Sequence, residues 1–224
     1  MTNVDSCETQ KDIAWDVNVD GTKNIVRACG KSGASLVYIS TDYVFDGKKG
    51  NYAETDVPNP LNHYARTKLA GEMLASTLDR HMILRSSVMF SSGGTNFVSW
   101  VRSALPKGKV RIVTDQVNSP TLATEMAEAI LKLVGLDATG IYHTAGAERI
   151  SRYDFAKAIA KVFGLDASRI SAARTSDLGQ KAVRPADSSL KIAKVKKLGI
   201  AFSNAENALR KLKEMEGAAG RRGC

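Results

Sequence analysis

Ser35-Leu-Val-Tyr-Ile-Ser-Thr-Asp-Tyr-Val-Phe-Asp-Gly47 decides the fold. Its first half is a short apolar run rich in strand formers and bounded by turn residues. That pattern suits a strand buried in a parallel sheet. Its second half sets hydroxyls and a carboxylate at the strand's end. Outward from there, residues 10–32 have helical apolar spacing, closed by Gly30 and Gly33. Residues 46–62 read as a loop and His63 to Thr77 as a helix. Met82 to Arg85 is a second buried strand, continued to about Phe90. Further on come a loop at 91–94, a helix from Asn96 to Ala104, a strand at 110–113, a helix from Thr124 to Leu133 and a strand at 140–143. Ser151 opens a helix with Asp154 as its capping-box partner. Amphipathic helices start near Ser188 and Asn204. The alternation predicts an α/β fold with a parallel sheet, and no internal repeat is present. Ligands of such sheets bind outside the carboxyl ends of the strands, here after Ile39, Arg85 and Ile141.

The residues at those ends suggest a chemistry. Thr41 and Asp42 close the first strand, and Tyr64-Ala-Arg-Thr-Lys68 follows on a helix. Positions i and i+4 share a helical face, so an ammonium sits near the phenol. A nearby positive charge favours phenolate and lowers the tyrosine pKa from about 10. Such a tyrosine passes a proton to a carbonyl oxygen while hydride arrives at carbon. The spacing alone is common, and Tyr153-Asp-Phe-Ala-Lys157 shares it. That second pair follows no hydroxyl loop, and its helix reads as plain packing through Phe155, Ile159 and Val162. Gly30-Lys-Ser-Gly33 precedes a strand instead of following one, so it is no dinucleotide loop. Ser91-Ser-Gly-Gly94 reads as a connecting turn.

Composition narrows the class. The chain has 224 residues, 43% of them hydrophobic and 25% charged, which suits a soluble globular protein. No apolar run approaches the roughly 18 residues of a membrane span, and no secretion signal is visible, so a cytoplasmic location is expected. Cys7, Cys29 and Cys224 are widely spaced and in no metal-ligand pattern. The net charge of +9 comes without basic blocks interleaved with aromatics. That argues against nucleic acid and suits a doubly anionic small molecule.

Ser40-Thr-Asp-Tyr-Val-Phe-Asp-Gly47, with Tyr52, Glu54, Pro58, Pro60, Tyr64, Lys68 and Gly71-Glu72, resembles the dTDP-4-dehydrorhamnose reductases, extended short-chain dehydrogenases/reductases. The likeness continues through Ser119-Pro-Thr121, Ser151 to Ala156 and Arg184-Pro185 to Leu190, and covers nearly the whole chain. It implies a Rossmann-like parallel sheet lacking its first strands, with a small C-terminal substrate-binding lobe. The implied division is 1–150 for the dinucleotide-binding part and 151–216 for a mainly helical lobe, while the Gly/Ala/Arg composition of 217–224 predicts a disordered tail. Tyr64 would be the proton donor, Lys68 would hold the nicotinamide ribose, and Thr41 would complete the triad. Asp42 would contact the sugar, and Thr2 would lie near the cofactor. The cofactor would be NADPH or NADH and the substrate a nucleotide-linked 4-keto sugar, with a homodimer as the expected assembly.

Two departures from the family pattern bear on this. Members begin with a strand, a Gly-x-x-Gly-x-x-Gly loop and a helix, which have no counterpart here, so the chain as it stands is expected to bind NADPH weakly or not at all. Val88 stands where the bacterial rhamnose enzymes carry a substrate-stacking tryptophan. Strand 35–40 is then expected at an exposed sheet edge. Two other readings compete: a sugar-nucleotide epimerase or dehydratase of the same superfamily, and a non-catalytic subunit like the regulatory β subunit of methionine adenosyltransferase.

Overall fold

The computed structural model describes residues 1–222. In chain order the elements are α1 (Val4–Thr9), α2 (Lys11–Trp15), a π-helical turn (Asp16–Asp20), α3 (Gly21–Ser32), β1 (Leu36–Thr41), α4 (His63–Ala75), β2 (His81–Ser86), β3 (Met89–Phe90) and α5 (Phe97–Ala104). They continue with β4 (Val110–Val113), β5 (Val117–Asn118), β6 (Thr121–Leu122), α6 (Ala123–Gly135), β7 (Gly140–His143), β8 (Ile150–Ser151), α7 (Arg152–Phe163), β9 (Ile170–Ala173), α8 (Ala193–Lys197) and α9 (Ala205–Arg222).

The central sheet is parallel, in the order β1-β2-β7. Leu36 lies opposite His81, and Met82 opposite Gly140. Among the described residues β1 pairs with β2 alone, so the run read first in the sequence is a sheet edge, as expected. Side chains alternate across a strand, and β2 shows the consequence. Met82 and Leu84 join Met126, Ala129 and Leu133 of α6 and Val195 of α8 in one core. Ile83 meets Tyr38 and Ala75 on the opposite face, and Arg85 reaches Glu72 of α4 there.

A second core joins Val98 and Val101 of α5, Phe155 and Ile159 of α7, Leu209 and Leu212 of α9, and Val110 and Ile112 of β4. The two cores interleave along the chain. Residues 90–112 pack with the helices after residue 151, and Leu190 to Phe202 return to the sheet. The expected boundary at residue 150 therefore does not follow the packing. Tyr153 and Lys157 sit on α7, where Phe155 and Ile159 are buried in this core, as their helix reading anticipates.

Three local expectations need correction. The helix expected over 10–32 is interrupted by the π-helical turn, which turns Asn18 inward to donate to Thr67 Oγ1 at 2.9 Å. The strand expected to run to Phe90 breaks at Val88, whose φ of +42° lies in the left-handed region. That conformation is unusual for a β-branched residue and is fixed by its neighbours: Thr121 Oγ1 donates to Ser87 O, and Thr121 N to Val88 O. The tail expected to be disordered from residue 217 is helical to Arg222, continuing α9, whose Leu209 and Leu212 anchor it. Residues 223–224 of that expectation lie outside the described residues.

One buried ion pair clamps α4 to the sheet. Arg85 Nε and Nη2 donate to the two Glu72 carboxylate oxygens at 2.9 and 2.7 Å, and Ser40 Oγ donates to the same carboxylate. Both side chains are under 5% exposed. Removing one partner of such a pair strands a charge in the interior. Glu72→Ala is expected to lose about 3–5 kcal/mol of stability in urea unfolding, far more than Glu206→Ala on the exposed face of α9.

Candidate active site

The carboxyl end of β1 gathers the predicted residues. Thr41 ends the strand, and its Oγ1 accepts from Tyr43 N at 3.2 Å while donating to Asp42 Oδ1 at 3.1 Å. Tyr64 is brought over it by α4. That helix starts where Asn62 accepts from Ala65 N and donates to Val183 O, so its first turn is pinned at both ends. The Thr41 hydroxyl lies near enough to the Tyr64 phenol to favour its phenolate form. The Tyr43 ring meets the Tyr64 ring edge-on, with centroids 6.4 Å apart.

Lys68 lies one turn on, but its ammonium is drawn to β1. Nζ donates to Ile39 O at 2.7 Å and sits 4.2 Å from the centroid of the Tyr38 ring. Burial lowers its pKa to about 8, against the pull of Glu72. The expectation that this charge makes Tyr64 acidic is not met in this arrangement. Burial pushes the Tyr64 phenol well above its ordinary value, Thr41 works against that, and the Asp42 carboxylate adds to it. A phenol ringed by apolar and acidic neighbours holds its proton.

Asp42 is 2% exposed. Ser87 Oγ and Ser188 Oγ donate to its Oδ2 at 2.7 and 2.5 Å, and Asn118 Nδ2 lies 3.4 Å from the same atom. This carboxylate stands behind Thr41, its oxygens taken up by protein donors, and not at the surface where a sugar would meet it. Thr2 lies exposed ahead of α1. No hydrogen bond joins it to the other predicted residues, although Asn18 links the neighbouring Met1 carbonyl to Thr67 of α4.

A cleft of about 300 Å³ opens beside Tyr43. It is lined by Phe97 and Trp100 of α5, Gln116, Gln180, Arg152 and Arg184 among others. Arg152 stacks over the Phe97 ring at 4.8 Å, and no carboxylate pairs with it among the described residues. Arg184 is fixed by a two-pronged bond to Asp5, at 2.6 and 2.8 Å. Gln116 donates to Thr175 and Gln180. Aromatic faces, amides and guanidinium groups are a set suited to a base and a diphosphate. Sequence reading assigned these residues no role, because they come from five separated segments with no common spacing. The nearest signals were the Ser151-Arg and Arg184-Pro stretches.

The family model described as RmlD substrate binding domain matches residues 1–216. A spore coat polysaccharide biosynthesis protein of Bacillus subtilis is 37% identical over 213 residues, covering 94% of this chain and 75% of that protein. A dTDP-4-dehydrorhamnose reductase of Aggregatibacter actinomycetemcomitans is 35% identical, covering 95% of this chain and 77% of the relative. Among solved structures, the dTDP-4-dehydrorhamnose reductase of Bacillus anthracis in complex with NADP superposes with a TM-score of 0.92 at 30% identity. It covers 96% of this chain and 78% of that one.

The Asp42 cluster sets a pH-dependent test. Burial raises its pKa, so its protonated form favours the folded state. That contribution is complete below the unfolded carboxyl pKa of about 4 and is lost as pH rises through the folded value. Removing a donor to the carboxylate raises the folded value further. Ser188→Ala is therefore expected to cost about 1–3 kcal/mol at neutral pH and less in mild acid, measured by urea unfolding across pH.

Proposed function

We propose that this chain, which belongs to the RmlD substrate binding domain family, carries the catalytic and substrate-binding machinery of an NAD(P)H-dependent reductase of a nucleotide-linked 4-keto sugar. Its relatives' names give dTDP-4-dehydrorhamnose as the substrate to try first. The observation that carries this reading is the pairing of the Thr41 and Tyr64 hydroxyls at the sheet mouth, beside a cleft whose arginines and aromatics suit a nucleoside diphosphate.

The roles follow from the chemistry of each group. Arg152, unpaired with any carboxylate, and Arg184, held by Asp5, take the diphosphate. Phe97 and Trp100 offer faces to the base. Tyr43 links the cleft to the hydroxyl pair, so the sugar end of the ligand lies against Tyr64. Thr41 holds the sugar's 4-keto oxygen, and the phenol of Tyr64 passes its proton to that oxygen. A reduced nicotinamide supplies the hydride when bound. Lys68 fits its ribose: no carboxylate pairs with the ammonium among the described residues, and Ile39 O takes only one of its three donors. A phenol held protonated by burial suits a proton donor, and the Thr41 hydroxyl favours the phenolate left behind. Asp42 acts through Thr41, and Thr2 lies toward the cofactor side. We further propose a cytoplasmic location and a homodimer; light scattering on the purified protein that reads the mass of one copy would remove the dimer.

The test is loss of NADPH absorbance with dTDP-4-dehydrorhamnose as substrate. Tyr64→Phe is expected to lower kcat by about 10²–10⁴-fold with nucleotide-sugar binding nearly unchanged. Arg152→Ala is expected to raise KM at least tenfold and to spare kcat. The rate should fall above about pH 8 as Lys68 loses its proton. Turnover by Tyr64→Phe at the parent rate would end the assignment.

A further inference from the structure

Lys68 is a half-buried ammonium that no carboxylate pairs with among the described residues. Its neighbours on α4 are Tyr64 and Glu72, and Glu72 is already bound by Arg85 from β2. From β1 it faces Tyr38 and the Ile39 carbonyl. A buried lysine without a counterion tends to lose its proton, so whatever keeps it charged matters to the site.

We propose that Tyr38 is a positioning residue for Lys68, its ring face forming with the Ile39 carbonyl a socket on β1 that keeps the ammonium charged and fixed behind Tyr64. The ring grips the lysine at both ends. Its face lies 4.2 Å from Nζ, and its hydroxyl donates to the Lys68 backbone carbonyl at 3.3 Å. Tyr38 is 8% exposed, so the ring does not swing in water. The close fit depends on Gly71, three residues further along α4. A Cβ there would lie 2.1 Å from the Tyr38 hydroxyl and 2.6 Å from the ring carbon that bears it. The Thr22 hydroxyl of α3 also acts on that phenol. The negative face of an aromatic ring attracts a cation, most strongly where water is excluded. Here it replaces part of the hydration that burial removes.

The catalytic meaning of this socket rests on the reductase reading, but the socket itself can be read without turnover. The probe is carbon-13 NMR of the lysine side chains, with the Lys68 signal identified by its loss in Lys68→Met. Tyr38→Phe keeps the ring and is expected to leave the Lys68 midpoint nearly in place. Tyr38→Leu removes the ring and is expected to lower it by about one unit. Should Tyr38→Leu fail to fold, a ring-fluorinated phenylalanine at position 38 keeps the shape while weakening the ring's negative face, and the same fall is expected. An unmoved midpoint in the folded leucine or fluorinated variant overturns the proposal. In NADPH-dependent turnover, Tyr38→Leu should lower kcat at least tenfold with KM for the nucleotide sugar within twofold, and Tyr38→Phe should restore kcat. A midpoint that falls as expected in a protein without any turnover would support the socket and count against the reductase reading. A fixed midpoint in an active enzyme would refute the socket alone.

Discussion

A carboxylate sealed from water holds the mouth of the sheet together. Asp42 receives Thr41 from its own strand end, Ser87 from the turn after β2, Asn118 from β5 and Ser188 from the segment returning from the C-terminal lobe. Those segments come from distant parts of the chain, and side-chain donors on one acceptor tie their ends together. A buried charge without a counterion is costly unless every lone pair is met. The consequence is geometric precision: Thr41 cannot shift without disturbing groups from both halves of the molecule. The left-handed Val88 directly follows Ser87, whose hydroxyl donates to Asp42.

The interior around this hub is unusually polar for its depth. Arg85 and Glu72 lie beneath it, with Arg85 stacked over Phe45 at 5.1 Å. His143 is fully buried beside Phe45, and burial with the neighbouring Arg85 charge lowers its pKa to about 3, which keeps it neutral. Such networks add little net stability when complete and cost much when broken. They fix which strand end meets which helix, and that is the requirement of a site assembled from several segments.

The electrostatics of the Tyr64 and Lys68 pair differ from the simple picture of a charge beside a phenol. Each group is shifted mainly by its own burial, in opposite senses: the phenol keeps its proton more firmly and the ammonium less firmly. Starting from similar ordinary values, the two groups are moved apart, so the ammonium becomes the stronger acid of the pair. The surrounding charges then matter through their placement. Arg152 and Arg184 stand on the cleft side, while Asp42 stands behind Thr41.

What the sequence determined by itself was local. The apolar run at 35–40, the hydroxyls after it, the His63 helix with Tyr64 and Lys68, and the Ser151 cap are each written in neighbouring residues. They follow from periodicity and side-chain chemistry over one or two turns. The π-helical turn around Asn18, the break at Val88 and the helical end of α9 were decided by partners remote in sequence, which override local preference. So was the direction of the Lys68 ammonium, for i and i+4 spacing sets a shared face but not which neighbour wins the charge. The cleft of Phe97, Trp100, Gln116, Arg152 and Arg184 was invisible for the same reason. Its members meet only after two interleaved cores fold the chain back on itself, and no sequence spacing encodes a meeting that packing alone brings about.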